Sequence, residues 1–211
     1  MKIIYHGYNC FSIESKLATI VTDPYKSDSL TIPNLSADIV TVSHNKSKNG
    51  NTSNIGGEPL VLDIPGEYER KEVLCMGIDA SHQKKDKKKK NTIFVFVVEG
   101  KTICHLGGLT EMVSSEELEK IGEIDILMVP VGGESVLDSK KALEIVDEIE
   151  PRIVIPMSYK LPGIEEDFAE VDQFKEIMGK KDIEEVEKLE LGKSKLPQES
   201  TNLYVLNAVH S

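Results

Sequence analysis

Three apolar stretches of this chain end in side chains able to do chemistry. Residues 39–42 run into Ser43-His44, residues 101–104 into His105-Leu-Gly-Gly-Leu109, and residues 152–156 into Met157-Ser158-Tyr159. Loops at one end of a sheet commonly carry functional groups, so these three ends are candidates for one site. Imidazole ligates divalent metals. A zinc ion takes three or four nitrogen, oxygen or sulfur ligands, and a catalytic zinc keeps one position open. Two histidines fall short of that. His82, ahead of a lysine run, could be a third ligand and Asp23 a fourth, but their spacing matches no compact metal motif. Nucleophilic catalysis has less support. There is no Gly-x-Ser-x-Gly sequence, and no cysteine stands beside a histidine in a catalytic motif. The Gly-Gly pairs at 56–57, 107–108 and 132–133 lack the context of a phosphate-binding loop.

The elements that must position these groups are short. Residues 2–5, 10–14, 18–22 and 38–43 are β-branched or apolar runs between turn residues and read as strands. Residues 27–37 and 45–57 are rich in Ser and Asn and read as loops. Strand signals return at 59–64, 72–78, 91–99 and 101–106, with Pro65-Gly66-Glu67-Tyr68 between the first two. The run Lys84-Lys85-Asp86-Lys87-Lys88-Lys89-Lys90 is too dense in like charge to pack, and predicts a solvated hairpin tip or loop. The second half alternates helix and strand. Helices are expected over 115–121, 138–149 and 167–178, and strands over 124–130, 152–156, 185–191 and 203–209. Ser114 and Asp138 are good N-cap residues.

Composition bounds the rest. A chain of 211 residues, 39% hydrophobic and 29% charged, suffices for one domain with a real core. A net charge of −11 makes nucleic acid an unlikely partner for the surface as a whole. Cys10, Cys75 and Cys104 have no Cys-x-x-Cys spacing and read as reduced thiols. No apolar run approaches the roughly 18 residues of a membrane span, and no signal-peptide pattern precedes the first strand. The expectation is a single cytoplasmic domain over residues 1–211, with no membrane contact.

A series of short sequences, taken in order, resembles a known family. They are Gly7-Tyr-Asn-Cys-Phe11, Thr22-Asp-Pro-Tyr25, Ala37-Asp-Ile-Val-Thr-Val-Ser-His44, Pro65-Gly-Glu-Tyr68 and Asn91-Thr-Ile93. They continue with His105-Leu-Gly-Gly-Leu109, Asp125-Ile-Leu-Met-Val-Pro-Val-Gly-Gly133 and Pro151-Arg-Ile-Val-Ile-Pro-Met-Ser-Tyr159. Order and spacing resemble the metallo-β-lactamase superfamily over nearly the whole length. The similarity is to its small Zn-dependent hydrolase branch, which includes ascorbate-phosphate lactonases. The resemblance implies an α/β fold, a four-layer αββα sandwich with its site at the sheet edges.

It also implies where metal ligands would stand, and most are replaced. The family's His-x-His-x-Asp-His loop falls on His44 to Asn49. His44 is kept, but Lys46, Lys48 and Asn49 stand in place of the second His, the Asp and the last His. His105 is kept. Gly108 stands where the bridging Asp would be, and Ser158 where the final His would be. Tyr8 replaces a His that often follows the first glycine. A protonated lysine cannot ligate a metal and repels one. The expectation is a degenerate site without a metal cofactor, in which ammonium groups balance Asp23 and a pocket stays formed. That pocket is expected to hold Asp23, His44, Lys46, Lys48, Asn49, His82, His105, Gly108 and Ser158. A small anion is the expected ligand, with no catalysis. The alternative is a hydrolase with one zinc or other divalent metal on His44, His105 and His82 or Asp23, acting on a phosphorylated or lactone-like molecule. A homo-oligomer is expected from the resemblance alone.

Overall fold

A computed structural model describes residues 1–27, 30–44, 51–84, 87–192, 196 and 200–209. The chain begins with β1 (Lys2–Tyr5), β2 (Phe11–Glu14), β3 (Thr19–Thr22), β4 (Leu35–Ser36) and β5 (Ile39–Thr41). Next come β6 (Ile55–Gly56), β7 (Leu60–Leu62), β8 (Gly66–Arg70) and β9 (Val73–Asp79). The lysine run forms the hairpin β10 (His82–Lys84) and β11 (Lys87–Lys89), and β12 (Thr92–Val98) and β13 (Lys101–His105) follow. The remainder is α1 (Ser115–Ile121), β14 (Ile126–Pro130), α2 (Ser139–Ile149), β15 (Ile153–Met157), α3 (Val171–Ile177), β16 (Leu189–Glu190) and β17 (Asn202–Leu203).

Two sheets carry the fold. The first has the order β16-β1-β2-β3-β5-β7 and the second β17-β15-β14-β13-β12-β9-β8. In the first, β3, β5 and β7 run parallel; in the second, β13, β14, β15 and β17 do. Strands buried on both faces read as continuous apolar runs rather than alternating ones. β14 and β15 are buried at every residue, and the sequence shows it as Ile-Leu-Met-Val-Pro and Ile-Val-Ile-Pro-Met. The main core includes Tyr5, Phe11, Ile20 and Ile39 from the first sheet and Phe94, Phe96 and Ile103 from the second. Helix α1 lies against β9 and α2 against β14. On the first sheet, Val21, Val40 and Cys10 are instead covered by Tyr25, Leu30, Ile32, Ile164 and Phe168, all loop side chains.

Several expected bounds shift, for physical reasons. Ser114 and Glu117 close a reciprocal capping box, and Asp138 accepts from the amides of Lys140 and Lys141, so α1 and α2 start where their caps predict. Helix α3 is shorter than 167–178. Residues 167–170 spend their backbone elsewhere: Ala169 N–H donates to Gly132 O and accepts at its own carbonyl from Lys160 N–H. The stretch 66–70 is a strand because it finds a full antiparallel ladder on β9. The expected strands at 185–191 and 203–209 shrink to β16 and β17. Leu35–Ser36 and Ile55–Gly56, inside expected loops, pair with each other. Among the described residues no helix is long and apolar enough to cross a membrane.

Candidate functional site

The carboxyl ends of the parallel strands converge. Asp23 follows β3, Ser43-His44 follows β5, His105 ends β13 and Ser158 follows β15. The β1–β2 turn brings Tyr8 and Asn9 to the same place. Three of these residues, Tyr8, Asp23 and Ser158, take positive φ values of 50°, 40° and 51°. Left-handed backbone at non-glycine residues is costly and clusters at sites.

Asn9 joins the groups. Its side chain bonds the Asp23 carboxylate, and its Oδ1 accepts from the Ser158 hydroxyl. Its carbonyl accepts from His105 Nε2 at 2.9 Å and from the Thr22 hydroxyl at 2.9 Å. Asp23 is 1% exposed. Ser43 donates to it twice, from its amide at 2.6 Å and its hydroxyl at 2.5 Å. The same hydroxyl lies 2.7 Å from His44 Nδ1, which is itself 3.9 Å from Asp23. Burial raises the Asp23 pKa to about 7, against the lowering pull of the Ser43 and Asn9 hydrogen bonds. Burial, and then the nearby Lys89 charge, lowers His44 to about 4. His105 is also lowered to about 4, chiefly by burial. The imidazoles are therefore neutral near pH 7, and the close approach of His44 to Asp23 is not an ion pair there.

Both nitrogens of His105 are engaged. Gly107 N–H donates to Nδ1 at 3.2 Å, which leaves Nε2–H as the donor to the Asn9 carbonyl. His44 fills the space above Gly108: a Cβ built there would fall 2.6–2.7 Å from Nε2, Cδ2 and Cε1 of its ring. Asn91 holds this turn, accepting from Gly108 N–H and donating to Leu106 O.

A cavity of about 1030 Å³ opens onto these groups, with Asn9, Ser43, His44, Gly108 and Ser158 in its lining. Tyr8 also lines it and donates its hydroxyl to Glu166 at 2.8 Å. Asp23 and His105 lie behind the lining, reached through Ser43 and Asn9. The structure does not bring His82 to the cavity; it stands in β10 opposite Lys89. Lys46, Lys48 and Asn49 lie outside the described residues. Sequence reasoning missed Asn9 as a site residue and placed Ser43 only at a strand end, outside the expected pocket. Asn9 reads as an ordinary turn residue, and only its distant partners distinguish it.

A family model described as "Beta-lactamase superfamily domain" matches residues 2–158. The chain belongs to the metallo-β-lactamase superfamily. A UPF0173 protein of Pyrococcus abyssi is 27% identical over 185 residues, 77% of this chain and 85% of its own length. A UPF0173 metal-dependent hydrolase of Nanoarchaeum equitans is 30% identical, over 75% of this chain and 84% of its own. A Thermotoga maritima crystal structure, described as a Zn-dependent hydrolase of the superfamily, shares 35% identity and a TM-score of 0.81. That match covers 98% of this chain and 99% of the other.

Among the described residues, the side chains at the strand ends are engaged with one another. A metal bound at His105 Nε2 would sit about 2.0–2.1 Å from the nitrogen, where the Asn9 carbonyl oxygen stands 2.9 Å away. Its other nitrogen is occupied by Gly107. The space beside residue 108 is filled by the His44 ring, and Ser158 is turned to Asn9. Among the described residues no three His, Cys, Asp or Glu side chains are grouped to hold a metal ion.

Proposed function

We propose that this superfamily member keeps the fold and the cavity but works without a catalytic metal, as a binding or interaction module whose ligand is a small anion. One observation carries the reading. Both ring nitrogens of His105, the better buried of the two retained histidines, are hydrogen-bonded inside the protein. A ligand histidine needs one nitrogen lone pair for the metal, with the other ring nitrogen donating to an outer partner. Here Nε2–H already donates to Asn9, and the Nδ1 lone pair is taken by a backbone N–H. The replacements at Gly108 and Ser158 agree with this, because each removes a ligand and each place is occupied.

Elemental analysis of the full chain, purified without chelator or added metal, tests the reading. Substoichiometric zinc, manganese and iron are expected, and one equivalent of any of them overturns it. A zinc titration followed by thermal unfolding gives a second measure. A ligand bound only by the native state raises the melting temperature, so no rise is expected.

A second reading has its own support. Relatives named metal-dependent hydrolases are similar over most of the chain, and Asp23 and His44 approach each other beside a large cavity. In that reading one atypical metal would bind after His105 released the Asn9 carbonyl. It requires zinc to raise the melting temperature and to support hydrolysis.

A further inference from the structure

The cavity lining carries four acidic side chains and three lysines, which differ in how they are engaged. Of its acidic lining residues, Asp63, Asp79 and Glu166 already have partners within the protein. Glu166 takes the Tyr8 hydroxyl, and Asp79 takes the Ser81 N–H. Glu165 is exposed beside them. Three lysines, Lys26, Lys89 and Lys90, also line the cavity; all are exposed, and none makes an ion pair among the described residues.

These lysines come from two separate stretches of the chain. Lys89 is registered opposite His82 in the hairpin, and Lys90 precedes Asn91, whose carbonyl accepts from Ala80 N–H. Lys26 follows Tyr25, a buried ring packed at 4.8 Å against Tyr8. The Lys89 charge reaches His44 at the strand ends. The sequence adds a wider field. From His82 to Lys90 there are six lysines against one aspartate, a net +5 in a chain of −11. The chain as a whole repels an anion, and this stretch is where the sequence concentrates the opposite charge. Thr92 and Thr110, also in the lining, offer hydroxyl donors to its oxygens.

We propose that the cavity binds a small oxyanion bearing at least two negative charges, held by the ammonium groups of Lys26, Lys89 and Lys90. This deepens the metal-free reading and rests on it. The carboxylate and phosphoryl forms of such a ligand share this chemistry, and the probes separate them.

The test is calorimetric titration of the full chain with citrate and with pyrophosphate, at low and at physiological salt. At least one should bind, more weakly as salt rises. The variant Lys26→Ser/Lys89→Ser/Lys90→Ser should bind at least ~10-fold more weakly, as expected when three exposed charge contacts are lost together. Lys140→Ser, an exposed change on α2, should bind as the parent does. The lysines are exposed, so the triple variant should keep the parent melting temperature. No binding of either probe by metal-free protein overturns the lysine site and leaves the metal-free reading standing. Binding that survives the triple substitution but vanishes on chelation places the anion on a metal and overturns both. A single-stranded oligonucleotide that binds more tightly than either probe, and is undiminished by the triple substitution, overturns the small-anion site in favour of a polyanion.

Discussion

Between about pH 4 and 6.5, Asp23, His44 and His105 hold protonation states opposite to those they would have in the unfolded chain, and their effects on stability oppose each other. Asp23 is raised from 3.8 to about 7, so the native state binds its proton more tightly. That contribution is fully present below pH 3.8 and is lost as pH rises through about 7. His44 and His105 are lowered from 6.5 to about 4, so the unfolded state binds their protons more tightly. Their contribution is present above pH 6.5 and is lost as pH falls through about 4. Between these limits the unfolded state carries two extra histidine protons and the native state one extra aspartate proton. Stability should therefore rise with pH by the equivalent of one proton, about 1.4 kcal/mol per pH unit. In Asp23→Asn the opposing proton is gone, and the slope should roughly double. Urea unfolding of both proteins at several pH values from 4.5 to 6.5 gives the two slopes, roughly bracketed by the folded and unfolded histidine values. Equal slopes would show that Asp23 is ionised throughout. The asparagine can still accept from the Ser43 amide, so the hydrogen bonds to Ser43 change less than the titration does.

At the scale of elements, the sequence marks where strands end but not what meets beyond them. The runs before Ser43, His105 and Ser158 are legible because they are continuously apolar and then turn polar. The approach of β14 and β15 beyond their ends is not legible, since it rests on Gly132. A Cβ at Gly132 would overlap the Ser158 carbonyl oxygen and fall 2.9 Å from the Phe168 ring. That carbonyl is backbone and cannot swing aside, and Ser158 is already at positive φ. Gly132→Ala should therefore cost ~3 kcal/mol, the upper end for overpacking. Gly133→Ala makes a useful contrast. Its φ of 73° is strained for alanine, but its nearest neighbour is Asp138 Cβ at 3.8 Å, so it should cost only ~1–2 kcal/mol. Denaturant unfolding of the two variants should rank them in that order; the reverse ranking would mean that β14 and β15 part beyond their last paired residues. The same backbone crowding explains the late start of α3. Helical pattern alone favours 167–178, but the carbonyl of Gly132 and the amide of Lys160 take the Ala169 peptide first.

For the molecule as a whole, the superfamily fold is legible because its short sequences recur along the chain in order. The chemistry is less so, since a ligand's absence from a sequence does not say what fills its place. Gly108 looks like an empty position, yet the structure fills it with the His44 ring. Ser158 looks like a lost ligand, yet its hydroxyl bonds Asn9, which also bonds Asp23 and His105. Restoring the ligands therefore has to dismantle packing as well as add donors. Consider Lys46→His, Lys48→Asp, Asn49→His, Gly108→Asp and Ser158→His combined in one chain. The aspartate at 108 must push the His44 ring off its seat, and the histidine at 158 removes the hydroxyl that holds Asn9. Without metal this variant should be less stable than the parent, by ~2–4 kcal/mol for the overpacking and the lost hydrogen bond together. With zinc it should recover, because a metal that binds only the native state adds about 2.7 kcal/mol at 100 times its dissociation constant. The parent, whose histidines are already engaged, should show no such recovery. Thermal unfolding of both proteins with and without zinc separates the cases. A folded variant that zinc leaves unmoved would mean that these five positions are not where the superfamily's metals sit. A parent that zinc stabilises equally would mean that His105 gives up the Asn9 carbonyl readily, and that the hydrogen bonds at the strand ends are a resting state of a metal site.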